Sequence, residues 1–263
     1  MLYQREYSPF KGEIERGMGM LKGRLLVGTI AMVETNSLQL DRIVFIGRTY
    51  FEYLRMFDLN ESDLKLGRVL DGAAGPSSFT AEATAKGFDA TACDMLYCHP
   101  VETLADKGRM DIEHTFRKVD DVPHLYVWKY YKDRQEIIGL RHKALGAFAR
   151  DYEEEIREGR HIKAELPRLP FPDRTFTLVL SSHFLFLYGD RLSLDFHVES
   201  LMEMMRVCSG EVRVYPLQGL DAKPYPHMEE LLLRLRSEGL QGELVPTSFE
   251  FQRGANTMLT LKR

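Results

Sequence analysis

Cysteine is scarce: Cys93, Cys98 and Cys208 are the only three in 263 residues. They are too few and too scattered for a disulfide framework, and the pair at 93 and 98 lacks a second pair to complete a zinc site, so no metal is expected. Long apolar runs are missing too. The longest early one, Leu25 to Val33, falls far short of the roughly 20 residues that cross a bilayer. Lys22 and Arg24 precede it as in a weak signal peptide, yet it lies well inside the chain and no clear small-residue cleavage site follows. A cytoplasmic location is the default expectation. Neither sign of charge dominates: 35 Lys plus Arg face 39 Asp plus Glu, a net charge of −4 with no long run of either. Nothing therefore points to a nucleic-acid backbone as partner. Tryptophan occurs once, at Trp128, and there is no internal repeat or low-complexity stretch.

What is present is enough chain for a substantial core, and one main domain over 38–263 is expected after an extension, 1–37, of unknown role. From Asp41 to Leu59, apolar residues at mixed three- and four-residue spacings predict one or two amphipathic helices. "LGRVLDG" then reads as a strand starting at Arg68, "SSFTAEATAKG" as a helix capped by Ser77 or Ser78 and ended by Gly87, and "FDATACD" as a second strand ending on Asp94. Strand, small-residue turn, helix, strand and terminal acid within 27 residues is the βαβ pattern of a parallel sheet.

The pattern then breaks, because about 65 residues separate Asp94 from the next strand-like piece, "HIKAEL", where a crossover needs about a dozen. The surplus, about 97–159, reads as a helical insertion: Ile137, Leu140, Ala144, Phe148, Tyr152 and Ile156 share one face, closed by Gly159. Its aromatic cluster, Tyr126 to Tyr131, suits packing onto the body or the wall of a pocket. Further on, "FTLVLSSHFLFLY" begins as a strand, "DFHVESLMEMMRVCSG" is a helix ending at Gly210, "EVRVYPL" a strand and "PHMEELLLRLRSEGL" a helix. "SFEFQRGANTMLTLKR" reads as a terminal antiparallel hairpin.

The turn Asp71-Gly72-Ala73-Ala74-Gly75-Pro76-Ser77 lets a ligand approach the backbone, and the helix after it turns free N–H groups toward the strand's carboxyl edge. Asp94 lies 19 residues past Gly75, about where an acid meets ribose hydroxyls in nucleotide-binding folds. Taken with the later pieces, the chain resembles the class I S-adenosylmethionine-dependent methyltransferases over residues 66 to 263, the insertion apart. Their first motif is an acid, any residue, then Gly-x-Gly-x-Gly; here Asp71 is the acid, Gly75 the retained glycine, and Ala73 and Ser77 replace the other two. "ELPRLPFPDRTFTLVLSS" resembles the stretch that contacts the adenine and leads into the fourth strand, with Thr177 where the family commonly has an acid. "MEMMRVCSGEVRVYPL" resembles the helix and fifth strand that follow.

The resemblance implies a Rossmann-like, seven-stranded, mostly parallel sheet with a terminal antiparallel hairpin and helices on both faces. It also implies S-adenosylmethionine as cofactor: Asp71, Gly72, Ala73, Gly75 and Ser77 around the turn, Asp94 on the ribose with Met95 beside it, Glu165 and Leu166 at the adenine, and Ser181 at the fourth strand's end. Arg48, Tyr50 and Tyr53 stand in the segment that in this family closes over the cofactor, where Arg48 would pair with the methionine carboxylate or an acidic substrate. The activity implied is methyl transfer to a small molecule, with His183 as the candidate general base and His197 structural. A non-catalytic cofactor-binding scaffold is the alternative, which the lost glycines favour. An aminopropyl transferase would need an acidic site that the sequence lacks. A nicotinamide enzyme would need Gly-x-Gly-x-x-Gly, and an Asn-Pro-Pro-Tyr-like motif of base methylation is absent.

Overall fold

The computed structural model describes residues 37–155 and 159–263. Residues 1–36, with the apolar run Leu25 to Val33, and Ile156 lie outside the described residues. Five strands run parallel: β1 (Val69–Gly72), β2 (Ala90–Asp94), β3 (His161–Lys163), β4 (Phe176–Ser182) and β5 (Cys208–Tyr215). β6 (Gln241–Pro246) and β7 (Thr257–Lys262) complete one seven-stranded sheet in the order β3-β2-β1-β4-β5-β7-β6, with β7 antiparallel to both neighbours. This is the Rossmann-like sheet with a reversed end that the sequence leads one to expect. Strand order reverses between β1 and β4, and in open parallel sheets that switch point is where ligands bind.

The helices are α1 (Tyr50–Met56), α2 (Glu61–Lys65), α3 (Phe79–Ala85), α4 (Val101–Val119), α5 (Arg134–Glu155), α6 (Leu194–Val207) and α7 (Met228–Ser237). Successive strand residues point to opposite faces, so Val69 joins a core with Phe79, Leu104 and Phe148 while Leu70 joins one with Leu201, Met204 and Leu231. α1, α3 and the insertion cover one face, and α6 and α7 the other. The insertion is helical as expected: α4, a 3-10 turn at Pro123–Leu125, and α5. Ile137, Ala144, Phe148 and Tyr152 are buried along α5, with Leu140 half-buried beside them.

Three expectations need correction. Residues 41–49 are not helical; only 50–56 are. Asp111 of α4 holds the segment extended by accepting from the Phe45 N–H (2.8 Å) and from Arg42, and a helix begins only where Thr49 and Glu52 form a reciprocal capping box. Gly210 does not end α6, which runs directly into β5. The glycine lies within β5 because a Cβ there would stand 2.3 Å from the Thr177 carbonyl oxygen. The terminal hairpin pairs 241–246 with 257–262, so "SFEF" is in the connection rather than a strand. Its Phe249 and Phe251 pack instead on Tyr130, Tyr131 and Tyr126.

Candidate functional site

β1 delivers Asp71 to the carboxyl edge of the sheet, and the chain turns there through two left-handed residues, Ala73 (φ +54°) and Gly75 (φ +55°). An alanine in that conformation costs about 1 kcal/mol, so position 73 carries the strain that a glycine would relieve. A Cβ on Gly75 would meet nothing nearer than the Phe45 ring at 3.8 Å, which leaves the space above it open. Ser77 Oγ accepts from the Phe79 N–H (3.0 Å), the first of α3, while Ser78 at the N-cap makes no side-chain capping bond.

Asp94, at the end of β2, ties the turn together. One carboxylate oxygen accepts from the Gly75 N–H (3.0 Å), the other from the Leu96 N–H (2.9 Å). Tyr97 donates to the Gly75 carbonyl from the same side (2.6 Å). Burial raises the Asp94 pKa from its ordinary value. Asp71 is fully buried and accepts from the Tyr53 hydroxyl (3.0 Å), but its Oδ2 has no partner. Burial, its largest influence, pushes the pKa of this acid up to about 7. A second orphan, Ser181 Oγ, is also buried. Asp71 pairs in register with Leu180, so Ser181 stands level with Gly72 on the neighbouring strand.

Arg48, Asp94 and His183 are each half-buried, so all three keep some contact with solvent. Arg48 is placed by Gly47, whose Cβ would stand 1.9 Å from the Pro76 carbonyl oxygen, so the segment lies directly on the turn. The Arg48 carbonyl accepts from the Ser78 N–H (3.0 Å), and its guanidinium donates to the Ile46 carbonyl (2.7 Å). Burial, and then the neighbouring Arg141, lower its pKa to about 10.

His183 follows β4 in a left-handed conformation (φ +55°), pinned by its N–H to the Tyr215 carbonyl (2.7 Å). Its Nδ1 lies 2.7 Å from Ser182 Oγ and its ring meets Tyr215 edge-on. Burial, then Arg48 and Arg141, hold its pKa well below the usual histidine range. His197 is structural as expected: its ring nitrogens face the Ser193 and Leu185 carbonyls (2.8 and 3.1 Å) and it stacks on Tyr225.

Of the residues singled out in the sequence, those of the turn, Asp94, Ser181, His183 and Arg48 gather at one sheet edge. Met95 is half-buried beside Asp94. Glu165 and Leu166 follow β3, Glu165 exposed and Leu166 buried, beside the β2 end where the Ala164 N–H donates to the Asp94 carbonyl (3.2 Å). Tyr50 does not face the turn: it stacks on Phe79 of α3, under Lys86. Tyr53, one helical turn on, reaches Asp71 instead. Spacing alone missed Tyr97 and a buried cluster in which Glu52 accepts from Arg141 (Nη1, 2.9 Å), Tyr131 and Thr49.

These residues fit a nucleotide-like ligand. Each Asp94 oxygen keeps a lone pair for a hydroxyl, and two buried oxygens at the neighbouring strand ends, Asp71 Oδ2 and Ser181 Oγ, have unfilled hydrogen-bonding capacity.

The uncharacterized protein MJ0045 of Methanocaldococcus jannaschii is 31% identical over 227 residues, which cover 86% of this chain and 99% of that protein. The chain belongs to the MJ0045 family. No protein-family model matches it. Among solved structures, a SAM dependent methyltransferase from Aquifex aeolicus is 16% identical with a TM-score of 0.37, over 80% of this chain and 90% of its own. The magnesium protoporphyrin IX methyltransferase from Synechocystis with bound SAH is 11% identical with a TM-score of 0.41, over 77% of each chain. Overlaps this loose assign no activity to the MJ0045 family; the strand order carries the fold.

Proposed function

We propose that this protein binds S-adenosylmethionine at the β1 turn and transfers its methyl group to a small-molecule acceptor. The observation that carries the reading is Asp94: a half-buried carboxylate at the end of β2, held by the Gly75 N–H. The resemblance of the first motif and the β3–β4 stretch supports it. Asp94 would receive the ribose hydroxyls, Glu165 and Leu166 the adenine, and the turn with Asp71 and Ser181 the methionine end. Bound cofactor supplies a methyl on a sulfonium, which the acceptor's nucleophile takes as the carbon–sulfur bond breaks and the thioether leaves.

The chain's own part is to hold the nucleophile in line in a site cleared of water. His183 is neutral at pH 7 and is a weak base, so it accepts a hydrogen bond from the acceptor and takes its proton only as transfer proceeds. That same depressed basicity favours a second reading, a cofactor-binding scaffold without transfer. Titration calorimetry with S-adenosylmethionine and S-adenosylhomocysteine tests the first step. Micromolar binding by the wild type, weakened at least tenfold in Glu165→Ala, is expected. Absence of binding by the folded wild type overturns the assignment, and binding without methyl transfer to any component of a cell extract moves it to the scaffold.

A further inference from the structure

The outer side of α1 carries a second recess, which shares no residue with the β1 turn or with Asp94. It is a surface cleft of about 430 Å³ between the end of α1, Tyr130 of the insertion and Ser248 of the hairpin connection. That volume falls within the roughly 300–1,000 Å³ of small-molecule sites. Its walls are apolar: Phe51, 56% exposed, the half-buried Leu54 and the buried Leu59, with Tyr130. The Tyr130 ring is fixed by two neighbours, Phe249 at 4.7 Å and Tyr131 at 4.9 Å between centroids. A large apolar side chain left open beside a fixed ring in a concave surface is where the apolar body of a ligand gains burial.

Two charges of opposite sign line the same cleft, Arg55 and Asp58. Three positions apart on a helix, such a pair would meet. Here the helix ends first: α1 stops at Met56, and Asp58 takes a left-handed conformation (φ +46°). Arg55 and Asp58 form no ion pair with each other, and among the described residues neither side chain has a hydrogen bond or ion pair elsewhere. Asp58 serves the fold through its backbone, whose carbonyl accepts from Arg213 (3.3 Å). The cleft therefore presents one open cation and one open anion beside an apolar wall, and Ser248 adds an exposed hydroxyl. A ligand of a single charge would be repelled by one of the pair, whereas a molecule bearing both signs satisfies both.

We propose that this cleft binds a zwitterionic small molecule with an apolar body, the chemistry of a free aromatic or aliphatic α-amino acid. Its carboxylate lies on the Arg55 guanidinium, its ammonium on the Asp58 carboxylate, and its side chain between Phe51, Leu54 and Tyr130. Both ends are then held by charge-assisted hydrogen bonds.

The test is a titration of the full chain, read from the backbone amide shifts of residues 50–59. The probes are leucine and phenylalanine, and 3-phenylpropionate and phenethylamine, which each keep one charge of phenylalanine. Wild type is compared with Arg55→Gln and Asp58→Asn. Both side chains are exposed and unpartnered, and asparagine accepts a left-handed backbone, so unchanged melting temperatures are expected. The proposal expects wild type to bind at least one of the two amino acids, and both single-charge analogues at least tenfold more weakly. Each variant should lose at least tenfold in amino-acid affinity, as removal of one hydrogen bond to a charged group requires, with S-adenosylhomocysteine affinity within twofold of wild type. No shift with either amino acid at millimolar concentration would overturn the proposal, as would equal affinity for either single-charge analogue. Amino-acid binding that both variants leave intact would also overturn it, and its displacement by S-adenosylhomocysteine would place the amino acid in the cofactor seat instead. A concentration-dependent dimer abolished by Phe51→Ser would give the cleft to a second copy of this chain, and the proposal would fall.

Discussion

At Asp71 the physical conflict is plain, because a carboxyl with one donor and an orphaned oxygen is fully buried. Its folded pKa of about 7 lies above the unfolded value near 3.8, so the fold favours the protonated form. The stability this contributes is complete below about pH 4 and is lost as pH rises through 7, in all on the order of 4 kcal/mol. Asp71→Asn keeps an acceptor for Tyr53 and cannot ionise. Its melting temperature should match that of wild type at pH 4 and exceed it at pH 8, and an equal gap at both pH values would contradict the assignment. For His183 the shift has the opposite sign. Its pKa is depressed, so the neutral ring favoured by the fold persists as pH falls below the ordinary histidine range. The pH–rate profile of methyl transfer should therefore show no His183 inflection between pH 6 and 8; one near 6.5 that disappears in His183→Ala would mean an open, solvated ring.

Two glycines of the site elements do different work, and substitution separates them. Gly47→Ala drives a Cβ into the Pro76 carbonyl oxygen, an impossible 1.9 Å, so the segment bearing Arg48 must lift from the turn. A loss above 3 kcal/mol, read by urea unfolding, is expected of a backbone collision of this kind (roughly, from the upper range of point-mutant effects). Gly75→Ala meets only the left-handed penalty of about 1 kcal/mol, since nothing lies within 3.8 Å of the new carbon. Its larger effect should fall on S-adenosylhomocysteine affinity, because the open space above Gly75 is the proposed seat. Elements of this sort were legible where one local rule governed them: the βαβ unit, Gly75, the terminal Asp94 and the helical insertion all follow from period and turn chemistry. Residues 41–49 were not legible, because Asp111, in register with nothing nearby in sequence, pulls them out of the helix that their spacing suits. The first arm of the hairpin failed for a related reason: Phe249 and Phe251 alternate as in a strand, yet the partners that claim them are the insertion's tyrosines.

Across the whole molecule the insertion is attached to the sheet through charges that no spacing rule reveals. Glu52 of α1 and Arg141 of α5, 89 positions apart, are both buried, at 0% and 3% exposure, and join with Tyr131 in one hydrogen-bonded cluster. Arg141 holds the Glu52 carboxyl down to about 2 even though burial pushes the other way. Such a pair contributes little net stability, since desolvation offsets much of its attraction, but breaking it leaves an unpaired buried charge at about 3–5 kcal/mol. Glu52→Gln should therefore be markedly destabilised in chemical denaturation, whereas Glu52→Leu combined with Arg141→Met should recover most of the loss.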